Sequence, residues 1–498
     1  MTGSRVHLTK SLYLAGLQCP KLLWWRAHEP LAPELQPDKV LEDRFDQARQ
    51  VGELARALFP GGVLIDRSRG RAEQSLADTQ AAIASDVPAI FEATFAAGGV
   101  QVAVDVLLRI ANGGWQLIEA KSASSLKDEH IPDTAVQWHV LAESGLDLEG
   151  AEVVHLNKEF RHPSTGNLLT RADVTAPVRA ILIDIPDQLA SMKEVLEGEL
   201  PEFPIGAHCG EPRDCPFERR CWPQAPDHIG KLYLVGFKRA DEYFRAGIHS
   251  VWQIPPGKKL SFTAQRQLRA LKANRMIVEP TLPAALAPFK GRLGFLDFET
   301  ISRAVPVWDG TGPWQQLAAQ FSYHESLPDG TYSHAEFLAE GADDCRPALA
   351  RAMIEATKNA TGVVTYSSFE KTRIRDLQVV VPELEPELKA LEEKLIDLLP
   401  VVRDNVYHPD FQGSFSIKYV LHPLVPELSY DDLIIVDGLT ASVEIARLLF
   451  VSQKIAPEER ERVRRDLLAY CERDTWAMVR LLERMRELSS NPTPTGQR

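Results

Sequence analysis

Between residues 87 and 160 the apolar positions fall in short runs broken by turn residues. "AIFEATFAA" (89–97), "VQVAVDVLLRI" (100–110), "GWQLIEAKSA" (114–123) and "AEVVHLN" (151–157) read as strands, and the spacing turns helical around 133–145. Strands interleaved with helices predict an α/β layer. Residues 41–59 also repeat with helical period, and helices dominate 343–358, 382–398 and 440–486. A second strand pattern opens at 292 with "RLGFLDFETI". Between these regions lies "VEPTLPAALAPFKG" (278–291), with three prolines and little periodicity, which reads as a domain boundary.

Charged residues interrupt these apolar runs in a regular way. Side chains at i and i+2 of a strand share a face, so Glu119 and Lys121 project together and Ala120 points away. Asp105 lies inside the preceding apolar strand, where a bare carboxylate is costly. On neighbouring strands Asp105 and Glu119 could share a hard cation, with Lys121 polarising a water or stabilising a scissile phosphate. The alternative is a salt bridge at an exposed strand end. Glu92, in "AIFEATF", is a further available acid. Asp297 and Glu299 repeat the i, i+2 pattern, and two like charges so close call for a divalent cation. Tyr470 and Asp474 are i and i+4 on a helix, hence on one face.

Composition narrows the class. The 498 residues predict two to four domains, and 44% hydrophobic with 25% charged residues is ordinary for a globular chain. The net charge of −13 argues against a broad basic nucleic-acid surface and fits carboxylates gathered around metals. No apolar run reaches 18 residues and the N-terminus lacks a signal-peptide pattern, so a cytoplasmic location without membrane contact is expected. There are six cysteines. Cys209, Cys215 and Cys221 cluster in an irregular segment, Cys19 lies far upstream, and Cys345 and Cys471 read as plain buried thiols.

Asp105, followed after thirteen residues by Glu119-x-Lys121, resembles the PD-(D/E)XK nuclease signature. Gln137 matches the Gln of the QxxxY motif of the RecB and Cas4 branch, with Leu141 where that motif has Tyr. The His of the branch's GxxxH-like motif is absent: "QVGELARALF" offers Gly52, Glu53 and Ala55. One early cysteine and three late ones resemble the iron–sulfur staple of Cas4 nucleases, which implies a [4Fe–4S] cluster on Cys19, Cys209, Cys215 and Cys221. Zinc on four thiolates and unrelated structural cysteines are the alternatives. Residues 232–254, with a turn at Gly247, faintly resemble a helix-hairpin-helix.

In the C-terminal half, Asp297-x-Glu299, then Glu370, then Tyr470-x3-Asp474 resemble the DEDD exonucleases of the RNase H-like fold. Glu370 stands where that family has Asp. The resemblance implies that the four carboxylates hold two Mg²⁺ or Mn²⁺ ions and that Tyr470 orients the attacking water. "GSFSIKYVLHPLVP" (413–426) resembles a segment supporting the nucleic-acid channel, where Lys418 would meet a phosphate. The segment including 305–325 resembles the DUF2779 family. Trp314, Gln315 and Gln316 there would either contact a terminal nucleotide or, for Trp314, cap the core.

The expected architecture is multidomain α/β. It comprises a restriction-endonuclease-like domain at 1–225, a helical linker at 226–290, an RNase H-like domain at 291–488 and a disordered tail at 489–498. The expected activity is metal-dependent cleavage of DNA, single-stranded ends above all, with RNA as the other candidate. The alternatives are a nucleic-acid-binding protein whose N-terminal nuclease fold is inactive, and an RNA-processing exonuclease that uses only the C-terminal site.

Overall fold

The computed structural model describes residues 8–68, 70–163 and 166–490. It divides into two compact units. The first comprises residues up to Trp222 together with Arg303–Gln315; the second comprises Pro223–Ser302 and the chain from Gln316. The Pro-rich stretch 278–291 therefore lies inside the second unit, as does the expected linker.

The first unit is built on a seven-stranded sheet: β1 (Leu8–Thr9), β2 (Val63–Leu64), β3 (Ala89–Ala97), β4 (Val100–Arg109), β5 (Trp115–Lys121), β6 (Leu148–Leu156) and β7 (Leu169–Asp173). The order is β2-β3-β4-β5-β6-β7, and β1 pairs with β4 off this path. β3, β4 and β5 run antiparallel in turn, while β5 and β6 are parallel. β3 and β4 are joined by Gly98 and Gly99, both at positive φ, which only glycine adopts freely and which suits a two-residue hairpin turn. The helices of this unit are α1 (Lys10–Gln18), α2 (Pro20–His28), α3 (Lys39–Arg56), α4 (Ala72–Ala84), α5 (His130–Glu143), α6 (Thr175–Ile181), α7 (Ile185–Glu197) and α8 (Glu218–Cys221). Asp38 caps α3 by accepting from the Leu41 amide at 2.8 Å, so its start lies two residues before the sequence pattern suggests. Leu141, Val136, Leu117 and Val104 share the core between α5 and the sheet.

In the second unit β8 (Ile277–Val278) pairs with a later strand, β14 (Val406–Tyr407), as a small ribbon. The main sheet holds β9 (Leu293–Ile301), β10 (Leu317–Ser326), β11 (Tyr332–Leu338), β12 (Gly362–Thr365) and β13 (Leu395–Asp397). Its order is β11-β10-β9-β12-β13, with the first three strands antiparallel and the last three parallel. The helices are α9 (Phe237–Arg245), α10 (Phe262–Ala273), α11 (Leu282–Ala285), α12 (Arg346–Thr357), α13 (Phe369–Val380), α14 (Glu385–Glu393), α15 (Leu399–Asn405), α16 (Ile417–Leu424), α17 (Gly438–Phe450) and α18 (Pro457–Ser490). α17 and α18 pack on β9, and α18 extends over β10. Gly247 turns the chain after α9 at positive φ, and a short 3-10 turn at Val251–Gln253 follows. Of the expected disordered tail, Ser489 and Ser490 end α18, and 491–498 lie outside the described residues. Among the described residues no helix is long and apolar enough to cross a membrane.

Candidate functional site

Three clusters carry the residues singled out by the sequence. In the first unit, β4 and β5 pair Val106 with Ile118, so Asp105 and Glu119 follow on one face. Asp105 Oδ2 accepts the Ala120 amide at 2.7 Å. Lys121 Nζ donates to Glu119 Oε1 at 2.7 Å and pairs closely with Asp133. Gln137 Nε2 donates to Glu119 Oε2 at 2.9 Å and to the Asp133 carbonyl at 3.1 Å. Asp105, Glu119, Lys121 and Gln137 thus converge. Two partners were not anticipated. Lys10, at the first turn of α1, lies 2.6 Å from Glu119 Oε1 and 3.4 Å from Asp133 Oδ1. Asp133 stands one helical turn before Gln137, an i, i+4 relation that the sequence displayed.

Burial pushes Glu119 up, but the ammoniums of Lys10 and Lys121 override it and hold the carboxyl at about 2. Burial and the Glu119 charge push Asp105 up to about 7. Burial opposes charge on Lys121 as well, and Glu119 and Asp133 outweigh it and raise its pKa. Two buried atoms here, Asp133 Oδ1 and Gln137 Oε1, lack a hydrogen-bond partner. Glu92 does not join the cluster; at a positive φ on β3 it pairs with Arg67 at 2.6 Å and Arg56 at 3.8 Å. Glu53 is exposed on α3. Trp314 belongs to this unit: its indole nitrogen donates to the Ser122 carbonyl at 2.5 Å, and it packs on Val51, Leu156 and Ala304. Trp314 thus packs within the first unit, with which residues 303–315 group.

The second cluster lies in the second unit. Asp297, Glu299 and Asp474 each place a carboxylate oxygen within 4.8 Å of the other two. Asp297 and Glu299 leave one face of β9, and Asp474 descends from α18. Glu370 occupies the first turn of α13, within hydrogen-bonding reach of Asp297, and its Oε2 is buried without a partner. Tyr470 is buried one turn before Asp474 and accepts a hydrogen bond from Lys418 Nζ at 3.1 Å. Lys418 also donates to the Val436 carbonyl at 2.5 Å, so this chain's own groups hold it.

Burial is the first cause of every shift in this cluster. It acts with Asp474 and Glu299 on Asp297, and with Asp474 on Glu299, raising both well above the carboxylate range. Burial lifts Asp474 to about 6 against the opposing Tyr430 hydroxyl and Lys418 ammonium. Burial and Asp397 lift Glu370 to about 7. Three residues here escaped sequence reasoning. Tyr430 donates to Asp474 Oδ1 in a close contact. Cys471, expected to be a plain core thiol, lies 3.7 Å from Asp297 Oδ2. Asp397, at the end of β13, acts on Glu370 through charge. Cys345 is buried as expected, with Sγ 3.7 Å from the Ala318 carbonyl.

The third cluster is the cysteines. All six are free thiols. Cys19, Cys215 and Cys221 share a patch with Trp25 and Phe217, and the Cys215 amide donates to the Cys209 carbonyl at 2.9 Å. Burial, with Cys19, Cys209 and Cys221 nearby, pushes the Cys215 thiol up to about 11. The N-cap position of α2 is Cys19 itself, so the start of the chain brings this sulfur to the late segment. Among the described residues the cysteines do not form a set of three sulfurs within 4.8 Å of one another.

Residues 294–416 match the family model described as a domain of unknown function, DUF2779. Two curated relatives are similar in sequence. The "Uncharacterized protein MG366 homolog" of Mycoplasma pneumoniae is 27% identical over 209 residues, 37% of this chain and 31% of the relative. "Uncharacterized protein UU173" of Ureaplasma parvum is 23% identical over 243 residues, 44% of this chain and 35% of the relative. The chain spans about a third of the length of these curated relatives. Among solved structures, the "Crystal structure of SSO0001" is similar at 12% identity and a TM-score of 0.24, covering 44% of this chain and 88% of that one.

Proposed function

We propose that this protein is a metal-dependent phosphodiester hydrolase whose principal site is the carboxylate cluster of the second unit, acting as a 3′→5′ exonuclease on DNA, with RNA as the other candidate substrate. One observation carries the reading: Asp297, Glu299 and Asp474 converge within 4.8 Å, Asp297 half-buried and the other two buried, with buried Glu370 beside them. Like charges so placed repel unless cations or protons intervene. Four carboxylates face one ammonium, Lys418, and divalent cations would take the place of the protons that burial and mutual repulsion otherwise hold on them. The donor set, all hard oxygens, suits Mg²⁺ or Mn²⁺. Asp297, Glu299, Glu370 and Asp474 would hold two such ions, whose chemistry is to activate water and stabilise the departing oxygen. Tyr470, with its hydroxyl anchored by Lys418, would position the water. The strand order β11-β10-β9-β12-β13, three antiparallel and then parallel, is that expected of an RNase H-like core and supports the assignment.

The first unit is proposed as a PD-(D/E)XK-like domain, supported by the convergence of Asp105, Glu119, Lys121 and Gln137. A second reading applies to it alone, in which this fold holds nucleic acid without cutting it. Lys10 and Lys121 already neutralise most of the charge of Asp105, Glu119 and Asp133, so this cluster needs a cation less than the other does. For the cysteines a [4Fe–4S] cluster is the proposal. Cys19, Cys215 and Cys221 share one patch and the Cys215 amide bonds the Cys209 carbonyl, which supports a group held by all four thiolates.

The test is a cleavage assay of the full chain on end-labelled single- and double-stranded DNA and RNA with Mg²⁺ or Mn²⁺. Asp297→Asn keeps shape and removes charge, and should abolish release from 3′ ends. If Asp297→Asn combined with Lys121→Ala degrades 3′ ends at the wild-type rate, the reading fails. If Asp297→Asn is silent and Lys121→Ala is inactive, the first unit is the nuclease instead.

A further inference from the structure

We propose that His324, His334 and Glu472 form a separate site for a divalent transition cation of the Zn²⁺ class. One ring nitrogen of each histidine and a carboxylate oxygen of Glu472 lie within 4.8 Å of one another. The set does not depend on the nuclease reading. His324 and His334 are directly paired across the antiparallel strands β10 and β11, and their rings stack at 4.6 Å. Glu472 comes from α18, which covers these strands. His334 and Glu472 are exposed, so an ion can enter from solvent.

The surroundings prepare both imidazoles as ligands. His334 Nε2 lies 2.9 Å from Ser322 Oγ, and His324 Nδ1 lies 2.8 Å from Thr475 Oγ1. The two hydroxyls are 2.9 Å apart, and Thr475 donates to the Glu472 carbonyl at 3.0 Å. A chain ending in that donation makes Ser322 a donor to Thr475 and both histidines donors to hydroxyls. Each ring then keeps one lone pair, on Nε2 of His324 and on Nδ1 of His334. Metal-bound histidines commonly donate their other N–H to such a partner, which fixes tautomer and orientation. Two imidazoles and one carboxylate suit Zn²⁺ rather than Mg²⁺ or Ca²⁺, and a fourth position would remain for water.

The site lies on the face of the sheet that carries the carboxylates, because His324 is two residues from Ser322 and Ser322 pairs with Asp297. Glu472 falls between Tyr470 and Asp474 on α18. A bound ion would therefore tie the β10–β11 hairpin to the stretch of helix that supplies Tyr470 and Asp474.

The test uses the full chain, stripped with chelator and titrated with Zn²⁺ and separately with Co²⁺ in excess Mg²⁺. Expected is one equivalent of Zn²⁺ that His334→Ala and Glu472→Gln each lose or bind at least about tenfold more weakly. That equivalent should persist in Cys215→Ser and Asp297→Asn. The Co²⁺ form should show visible ligand-field bands that His334→Ala removes, without the thiolate charge transfer of a cysteine site. Circular dichroism confirms folding, and if His334→Ala fails to fold, Glu472→Gln decides alone. Unchanged Zn²⁺ number and affinity in the histidine and glutamate variants would overturn the proposal, as would loss of the ion only in Cys215→Ser or Asp297→Asn.

Discussion

Lys10 and Lys121 hold one carboxylate between them. Glu119 is 2% exposed, and both ammoniums reach its Oε1. With its folded-state pKa depressed to about 2, Glu119 stabilises the fold above its unfolded value, and this contribution is lost as pH falls from about 4.5 towards 2. Lys10→Met should cost about 1–3 kcal/mol at neutral pH, as expected for losing a charge-assisted hydrogen bond to a buried acid. Denaturant titrations should show it, together with an acid-unfolding midpoint moved to higher pH. The second cluster has the opposite sign. Asp474 and Glu370 are raised to about 6 and about 7, so in the folded state they keep protons that the unfolded chain has released. Metal-free protein should therefore lose stability as pH rises from about 4 through about 7. Melting scans in chelator at pH 5 and pH 8 check this, and Mg²⁺ should restore the alkaline loss. Asp297→Asn should flatten the dependence by removing one of the repelling charges.

β9 carries two demands on adjacent positions. Asp297 and Glu299 face the cluster, while near the start of the strand Gly294 leaves room for the buried Tyr323 ring from β10. A Cβ at Gly294 would meet Tyr323 ring and hydroxyl atoms in a buried strand pair, and that hydroxyl donates to Glu325 at 2.6 Å. Gly294→Ala should destabilise the second unit by about 1–3 kcal/mol, the usual cost of overpacking, read as a lower melting temperature. Elements with a strict period were legible in the sequence. The i, i+2 spacing of β9 and the i, i+4 spacing of α18 each bring two acids or an acid and a tyrosine to one face, and these are local facts. Glu370 sits in the first turn of α13, which begins at Phe369 directly after the short turn that follows β12, so no helical period precedes it in the sequence. Lys10, Tyr430 and Asp397 reach their clusters only through tertiary packing, from 109 residues away in the case of Lys10 and Glu119, and no periodicity marks them. His324 and His334 could have been found by aligning the β10–β11 hairpin, whose turn residues "PDG" (328–330) fix the register.

At the scale of the whole molecule, the cysteines join the two ends of the first unit. Cys215→Ser should remove the brown colour expected of anaerobically purified protein and lower the melting temperature of that unit, since metal binding and folding are coupled; metal analysis with calorimetry reads both. The first unit has one more piece, the excursion 303–315 between β9 and β10. Its neck is closed by the Trp314 amide donating to the Arg303 carbonyl at 2.7 Å. Within the unit Arg303 pairs with Asp43 at 2.7 Å, the Ala304 amide donates to buried Gln47 at 2.5 Å, and the His162 amide donates to the Thr311 carbonyl at 2.9 Å. The order of synthesis on the ribosome then acquires a meaning. A chain released at residue 225 has every strand of the seven-stranded sheet, yet Gln47 and the Ser122 carbonyl still await partners that are translated later. The amino-terminal unit becomes complete only when residue 315 has emerged, so its maturation follows the making of β9 rather than preceding it.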